Sequence, residues 1–461
     1  MKDGPLLELD IESIDLDANG VAHHDGKVVF VRDALPGERV VARVVRRKPR
    51  FEVAQTVQVL RGSVARVTPR CPHFGVCGGC SMQHLEPRSQ LSIKQRALED
   101  QLWHLGRVRP GTVLRPIAGP TWGYRYRARL SVRHVAKKGG VLVGFHERGS
   151  SYVADMHGCD VMPPRIATLI DPLRAFLAAL DMRERMPQIE VALGKVETGE
   201  VLALVFRVLE PPTPADREAL IAFARTHRFE LWLQPKGPDT VHLVWAPHDD
   251  GAQTPASRLA YTLPEFDVRM PFRPTDFTQV NHRVNEMLVG HALRLLEPQP
   301  TDRIADLFCG LGNFSLPLAR RARAVVGVEG SAALVARATE NARANGLSER
   351  TDFQVANLFE LDDARWRALG PFDRVLIDPP REGALELAKA LASDAHKPQR
   401  IVYVSCNPAT LARDAGVLVN TGGFALLAAG AVNMFPHTSH VESIAVFAPA
   451  EPGAHVQEGQ E

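Results

Sequence analysis

Four cysteines in the first part of the chain are spaced like ligands of a metal centre. Cys71, Cys77 and Cys80 form a C-x5-C-x2-C pattern interrupted by glycines, which let a chain wrap tightly around a metal. The fourth ligand is predicted to be Cys159, which lies alone much further along the chain. Four thiolates suit a structural zinc ion or a cubane iron–sulfur cluster, and the spacing does not choose between them.

A second kind of reactive cysteine is predicted in the C-terminal part. Residues 401–405 are typical of a buried strand that delivers Cys406 to its end, and Asn407 and Pro408 suit the start of a helix. The positive end of a helix favours the thiolate form, so we predict Cys406 as a nucleophile. Cys309, which lies in a glycine-rich turn, is the rival nucleophile.

A general base is expected near the end of the chain. Within residues 433–443, Glu442 begins an apolar strand, and His437 and His440 are alternative bases. A base beside a nucleophilic thiol suits chemistry in which the thiol adds to a substrate and a proton is removed later.

The glycine-rich turn itself predicts a ligand that contains a nucleoside. A strand over 303–308 leads into the sequence CGLGN, and the next strand, 324–328, ends at Glu329, whose carboxylate suits ribose hydroxyls. A dinucleotide site would need a third glycine where Ser315 stands. S-adenosylmethionine is therefore favoured over NAD.

The following strands predict the rest of this pocket. Segments 354–357 and 375–378 end at Asn357 and Asp378, and doubly wound sheets bind ligands at such strand ends. The sequence DPP at 378–380 resembles that of adenine-amino methyltransferases, but Arg381 replaces the aromatic residue that stacks on their target base. This replacement disfavours an exocyclic amine as the target.

Local basic stretches predict a nucleic-acid partner, although the net charge is only +2. From Arg39 to Arg70, nine basic residues accompany one acidic residue, and short apolar runs indicate a small β-barrel. Alternation within 124–133 predicts a strand with one arginine-rich face. We expect this face to bind phosphate unless a neighbouring acidic strand pairs with it. Its members are Arg125, Arg127, Arg129 and Arg133.

Composition limits the class of protein. The chain has 461 residues, which predicts about three domains, and 45% of them are hydrophobic, enough for folded cores. No apolar run is long enough to span a membrane and the N-terminus has no apolar signal core, so we expect a cytoplasmic protein without a membrane partner. Six cysteines are too few for a disulfide scaffold.

Two regions resemble known families. Residues 5–64, through the sequence VFVRDALPGERV, resemble the TRAM domain, an OB-like barrel of RNA-modifying enzymes. The C-terminal part resembles the RNA uracil-C5 methyltransferases, and among them the type that acts on 23S ribosomal RNA. The segments that carry this resemblance are DFTQVN (276–281), DLFCGLGNFSLPLA (306–319), DPPREG (378–383), VSCNPATLARD (404–414) and MFPHTSHVES (434–443).

The resemblance implies a role for each candidate residue. Cys406 would be the nucleophile and Glu442 the base. Contacts with S-adenosylmethionine would come from Gln279, Phe308, Asn313, Glu329, Asn357 and Asp378. A [4Fe-4S] cluster, rather than zinc, would be held by Cys71, Cys77, Cys80 and Cys159.

We therefore expect a multidomain α/β enzyme. Its predicted parts are an N-terminal OB-like TRAM β-barrel (1–64), a central α+β iron–sulfur and RNA-binding domain (65–275) with a helix near 88–106 placed to pack on the catalytic domain, a C-terminal doubly wound, Rossmann-like S-adenosylmethionine methyltransferase domain (276–448) and a disordered tail (449–461). It would methylate C5 of a 23S rRNA uridine as a monomer, by cysteine addition to C6 and glutamate-assisted elimination. The alternatives are a different or second 23S uridine, a tRNA, a metal-bearing RNA-binding scaffold and a nicotinamide oxidoreductase.

Overall fold

The structure, a computed structural model, describes residues 4–197, 199–248 and 256–451. Within these ranges the strands form four sheets, of six, six, two and eight strands. No helix in these ranges is long and apolar enough to cross a membrane. The tail predicted at 449–461 begins at the end of the last strand, and its residues after Glu451 lie outside the described ranges.

The first sheet is the N-terminal β-barrel expected from the sequence. Its strands are β1 (Leu6–Asp10), β2 (Ser13–Ile14), β3 (Gly20–His24), β4 (Lys27–Arg32), β5 (Arg39–Arg47) and β6 (Phe51–Arg61). They neighbour one another in the order β1-β5-β6-β4-β3-β2. Alternate residues of β5, namely Val40, Ala42 and Val44, are buried, and the first two belong to the core of this sheet, so the exposed arginines of β5 lie on the outside.

The second sheet forms the centre of the chain. After α1 (Pro87–His104) and β7 (Thr112–Val113), its elements are β8 (Arg127–Val135), β9 (Gly140–Gly144), α2 (Pro164–Ala167), α3 (Ile170–Ala179), β10 (Gln188–Val196), β11 (Gly199–Arg207), α4 (Pro214–His227), β12 (Glu230–Gln234) and β13 (His242–Trp245). The strand order is β13-β12-β11-β10-β8-β9. Helices α3 and α4 cover one face, and the other face packs into the core of the C-terminal layer through Val205 and Trp232.

The C-terminal layer begins with a hairpin and ends with the large sheet. Its elements are β14 (Ala260–Leu263), β15 (Val268–Pro271), α5 (His282–Leu296), β16 (Arg303–Leu307), α6 (Ser315–Ala319), β17 (Ala324–Glu329), α7 (Ala332–Ala344), β18 (Thr351–Val355), α8 (Asp363–Leu369), β19 (Arg374–Ile377), α9 (Leu385–Ser393), β20 (Arg400–Ser405), α10 (Pro408–Asn420), β21 (Phe424–Val432) and β22 (Glu442–Pro449). The strand order is β18-β17-β16-β19-β20-β22-β21-β7.

This sheet is the doubly wound arrangement predicted from the sequence. Strands β16 to β20 are parallel, and β22 inserts antiparallel between β20 and β21. The runs 375–377 and 401–404 are buried because helices cover both faces of the sheet. Parallel strands end at one edge, so the loops that follow them are brought together there.

Helix α1 packs on the C-terminal layer although it precedes the central sheet in the chain. Leu98 and Leu102 of α1 share a core cluster with Leu411 and Leu418 of α10. The short strand β7 pairs in parallel with β21 at the edge of the large sheet. Residues that precede the central sheet in the sequence thus belong to the C-terminal layer. The domain boundaries given above stay predictions.

Candidate active site

One cavity of about 760 Å³ opens at the carboxyl ends of the parallel strands. All eight residues that the sequence predicted for methyl-donor binding and catalysis line this cavity. They are Gln279, Phe308, Asn313, Glu329, Asn357, Asp378, Cys406 and Glu442. Residues spread over more than a third of the chain therefore converge, because each one follows or begins a strand of the same sheet or lies in a loop beside it.

The turn after β16 adopts a conformation that few residues tolerate. Phe308 has a φ of 64°, and Gly310 and Gly312 have φ values of 56° and 94°. The turn brings the Phe308 ring to 5.6 Å from the ring of Phe359, and both rings line the cavity. The Gly310 amide donates a hydrogen bond to the Glu329 carboxylate at 3.2 Å. The predicted glycines thus allow a tight turn that contacts the end of the neighbouring strand.

Two residues that sequence reasoning missed position Asn313. Its Oδ1 accepts hydrogen bonds from the Tyr261 hydroxyl at 2.8 Å and from Asn285 Nδ2 at 2.9 Å, and its Nδ2 donates back to Asn285 Oδ1 at 2.9 Å. Asn285 is a polar residue on the buried face of α5, which was a usable signal. Tyr261 comes from the separate β14–β15 hairpin, and no local pattern marked it.

Two aspartates at the cavity carry raised pKa values: Asp378 lines the cavity, and Asp306 is fully buried beside it. Burial raises the pKa of Asp306 to about 7, although Ser315 donates a hydrogen bond to its carboxyl. The pKa of Asp378 lies well above its usual range, first because of burial and then because the Glu442 and Asp306 carboxylates are near. Ser315, which replaces the third glycine of a dinucleotide turn, therefore has a specific contact in this fold.

Cys406 lies between β20 and α10, as predicted. Asn407 caps the helix by accepting a hydrogen bond at 3.0 Å from the amide two residues later. The prediction that this position favours the thiolate is wrong for the free enzyme. Burial, Glu442 and Asp378 together raise the pKa of Cys406 to about 12. Desolvation and two nearby carboxylates outweigh the partial positive charge of a helix end.

Two alternative residues named from the sequence are less well placed for catalysis. Cys309 lines the cavity but is only 5% exposed, and burial raises its pKa well above the usual range. His437 is not among the described residues that line the cavity. Its ring lies 4.0 Å from that of Trp122, and its amide donates to Gln90 Oε1 at 2.8 Å. His437 therefore serves the packing of its loop and is not positioned as a base.

Glu442, the first residue of β22, is connected to a second imidazole. It is 6% exposed, and its Oε1 lies 3.2 Å from His440 Nε2. His440 Nδ1 in turn lies 3.3 Å from Arg381 Nη2. All three residues line the cavity. A carboxylate joined to an imidazole can accept a proton and pass it on, which is the requirement for a general base that must be regenerated.

A buried lysine that sequence reasoning missed supports the loop before Glu442. Lys94 of α1 is 1% exposed, and its Nζ donates to Asn433 Oδ1 and to the Phe435 carbonyl, each at 2.8 Å. Burial lowers its pKa to about 7, while the Glu442 carboxylate acts in the opposite direction. Lysines of surface helices are usually exposed, so no local pattern marked this one.

The four cysteines of the predicted metal centre line one small cavity, and none forms a disulfide. Burial and the neighbouring Cys77 and Cys71 thiols raise the pKa of Cys80 to about 11, and burial with Cys80 raises that of Cys159 to about 12. Among the described residues, no group of three or more His, Cys, Asp or Glu side chains is arranged to hold a metal ion. The structure brings the four thiols together, and the cluster itself stays a prediction.

The arginine-rich strand has a different environment from the one predicted. Arg129 lies opposite Glu190 of β10, and its Nη2 is 2.8 Å from Glu190 Oε1, while Arg127 Nη2 is 3.6 Å from Oε2. The acidic neighbouring strand, the alternative considered above, therefore pairs with these two arginines. Arg125 precedes the strand and lies over the Phe145 ring. Arg129 and Arg133 both stay exposed, and of these two only Arg133 has no carboxylate partner among the described residues.

Comparisons with known proteins agree with this architecture. The sequence profile of the tRNA (uracil-5-)-methyltransferase family matches residues 262–448, and that of the TRAM domain matches residues 2–57. The 23S rRNA (uracil(1939)-C(5))-methyltransferase RlmD of Bordetella bronchiseptica is 62% identical over 441 residues, which cover 95% of this chain and 92% of the relative. The RlmD of Cupriavidus necator is 60% identical over 450 residues, which cover 95% of this chain and 99% of the relative. The solved structure of Pyrococcus abyssi tRNA (uracil-54, C5)-methyltransferase with S-adenosyl-L-homocysteine is similar with a TM-score of 0.72 and 25% identity, and the alignment covers 96% of this chain and 99% of that one.

Proposed function

The chain belongs to the family of RlmD-type 23S rRNA (uracil-C5)-methyltransferases, and from this premise we propose that it transfers a methyl group from S-adenosylmethionine to C5 of a uridine in 23S rRNA. The proposed target is the uridine that corresponds to position 1939 in the names of the relatives. The observation that carries the proposal is the convergence of Cys406 and Glu442 with the six predicted methyl-donor residues in one cavity. The product would be 5-methyluridine.

The methyl donor is proposed to lie along the turn after β16. The residues that would hold it are Gln279, Phe308, Asn313, Glu329, Asn357 and Asp378. When bound, S-adenosylmethionine supplies an electrophilic methyl group on a positively charged sulfonium. The Glu329 carboxylate suits ribose hydroxyls, and the aromatic rings of Phe308 and Phe359 offer an apolar surface in the same cavity. The Glu442 carboxylate in the same cavity suits a cationic ligand.

Cys406 is proposed to activate the uracil ring by adding to C6. Uracil C5 is a poor nucleophile, and covalent addition splits the difficult transfer into easier steps. The thiol gives its proton to solvent, its sulfur bonds to C6, and the electrons of the 5,6 double bond form an enolate. The enolate carbon C5 then accepts the methyl group, whose bond to the sulfonium sulfur of the donor breaks. Since the pKa of Cys406 is about 12 in the free enzyme, we expect the thiol to ionise only after a positive charge has entered the cavity.

Glu442 is proposed to remove the hydrogen that C5 still carries after the transfer. The carboxylate takes this proton, the carbon–sulfur bond breaks, and the 5,6 double bond is restored. His440, whose Nε2 lies 3.2 Å from the carboxylate, would carry the proton onward, and the Arg381 guanidinium, which cannot accept a proton, lies 3.3 Å from His440 Nδ1. Lys94 acts as a positioning residue because it holds the loop that precedes Glu442.

A [4Fe-4S] cluster is proposed to be held by Cys71, Cys77, Cys80 and Cys159. The donor types suit such a cluster, since four free thiols line one cavity, although among the described residues no three of them are already arranged around a metal ion. The amides of Ser81 and Met82 both donate to the His437 carbonyl at 2.9 Å. The metal centre would order the cysteine segment, which these hydrogen bonds join to the loop that carries His440 and Glu442, without taking part in the chemical steps.

Transfer of tritium from labelled S-adenosylmethionine to a 23S rRNA fragment tests the proposed function. We expect the native enzyme to label the fragment and Cys406→Ala to label nothing. RNA that contains 5-fluorouridine should trap a covalent complex whose crosslinked peptide contains Cys406. A metal-bearing scaffold would bind RNA without transferring tritium, and mass mapping of the product would reveal a different 23S uridine or a tRNA as the target.

A further inference from the structure

The central sheet carries a cleft of about 290 Å³ whose polar lining has no part in the mechanism above. Gln188, Arg207 and Gln234 stand opposite one another on β10, β11 and β12, so their side chains share one face. Further along the same face, Val205 and Trp232 are buried against the C-terminal layer. Gln188, Arg207 and Gln234 therefore lie at the edge of the area that the C-terminal layer covers.

The charge of the cleft is positive and only partly neutralised. Its one carboxylate, Glu190, pairs with Arg129 at 2.8 Å. In the part of the chain that the structure describes, Arg207 and Lys236 are exposed cations without an ion-pair partner. Two free cations in a concave site favour an anion, and phosphate is the anion that an RNA-modifying enzyme meets.

An unsatisfied acceptor in the same cleft indicates a second feature of the ligand. Gln234 is 8% exposed, and its Oε1 has no hydrogen-bond partner among the described residues. A buried carbonyl oxygen without a donor is costly, so a ligand hydroxyl at this position would be favourable. A ribose 2′-hydroxyl next to a phosphate is a group of this kind.

The cleft is close to the catalytic cavity along the chain. Thr275 lines the cleft and Phe277 lines the cavity, and two residues of extended backbone span at most about 7 Å. Arg127 fixes this connection because its guanidinium donates to the carbonyls of Thr275, at 2.9 Å, and Asp276. An RNA strand with one nucleotide in the cavity would therefore pass the cleft with a nearby nucleotide.

We propose that this cleft binds the sugar–phosphate backbone of the substrate RNA beside the nucleotide that is methylated. Arg207 and Lys236 contact a phosphate, and Gln234 Oε1 accepts a hydrogen bond from a ribose 2′-hydroxyl. The second contact would distinguish RNA from DNA at this position. The inference rests on the proposed function, since it assigns a further site for the same substrate.

The phosphate contact is tested by the salt dependence of RNA binding. Arg207→Ala is expected to reduce the slope of log affinity against log salt by about 0.7, the loss of one phosphate contact on a single strand. Arg217→Ala is the matched control, because it removes an exposed arginine of α4, which covers the opposite face of the same sheet and does not line the cleft. Affinity for S-adenosylhomocysteine should be unchanged in both variants.

The ribose contact is tested with an RNA fragment that carries 2′-deoxyribose at the nucleotides flanking the target. The native enzyme should bind the all-ribose fragment about twofold to tenfold more tightly, the worth of one neutral hydrogen bond, and Gln234→Ala should lose this preference. A native slope in Arg207→Ala, or a retained preference in Gln234→Ala, overturns the assignment of the cleft. Methylation by the native enzyme is measured in parallel, and its absence would overturn the proposed function instead.

Discussion

Replacing Glu442 by glutamine is expected to separate the two halves of the reaction. The amide cannot remove the C5 proton, so methylated RNA should remain bonded to Cys406. The change also removes a charge that helps to raise the pKa of Cys406 to about 12. One neighbouring charge shifts a pKa by about one to three units, and a less basic thiolate is a weaker nucleophile with a Brønsted slope of about 0.5. Alkylation of Cys406 in the free enzyme should therefore accelerate by about threefold to thirtyfold at neutral pH.

Two measurements check this prediction. Denaturing electrophoresis with labelled RNA and S-adenosylmethionine reports the covalent complex, which should accumulate in Glu442→Gln. Peptide mapping after brief exposure to iodoacetamide reports alkylation at Cys406. Glu360→Gln, which removes an exposed carboxylate of the same domain, is the matched control and should behave like the native enzyme. Native rates of RNA release, or unchanged alkylation of Cys406, would refute the reasoning.

Three further predictions concern groups that support the site. Lys94→Met leaves the Asn433 and Phe435 acceptors unpaired, so turnover should fall roughly tenfold or more while the KM for RNA stays native. A parallel rise in the KM for RNA would contradict a positioning role. Burial raises the pKa of Asp306 to about 7, so its protonated form contributes to the free energy of unfolding. This contribution is complete below the ordinary pKa near 3.8 and is lost as pH rises through 7. In calorimetry, the melting temperature of Asp306→Asn minus that of the native protein should therefore be larger at pH 8 than at pH 5. A difference that does not change with pH would exclude this role. Cys159→Ser should lose bound iron and visible absorbance in metal analysis, whereas Cys309→Ser, which lies outside the cysteine cavity, should keep both.

The local elements of the site were predictable because each is specified within a few residues. Asn407 and Pro408 are favoured residues at the start of a helix, and the glycines of the turn after β16 are needed for its positive φ values. The convergence of the eight residues was predictable as well, since parallel strands end at one edge of a doubly wound sheet. What the sequence could not supply was the surroundings of each group.

Two predictions about charge depended on surroundings that the sequence does not record. The thiolate expected at Cys406 depends on whether carboxylates lie nearby, and Glu442 and Asp378 reach it from other strands. The arginine face expected to bind phosphate depends on the neighbouring strand, which places Glu190 opposite Arg129. In both cases the local sequence pattern was interpreted correctly, and carboxylates from neighbouring strands determined the electrostatic surroundings of the group.

By itself the sequence determined which residue types stand at the strand ends, and hence the nucleophile, the base and the turn for the methyl donor that we propose. Only the tertiary structure decided how these groups are held and charged. Lys94 supports the catalytic loop through Asn433, 339 residues later, and Tyr261 orients Asn313 from a separate hairpin. Hydrogen bonds and pKa values depend on distances through space, and a linear pattern does not record which distant segments the fold brings within a few ångströms.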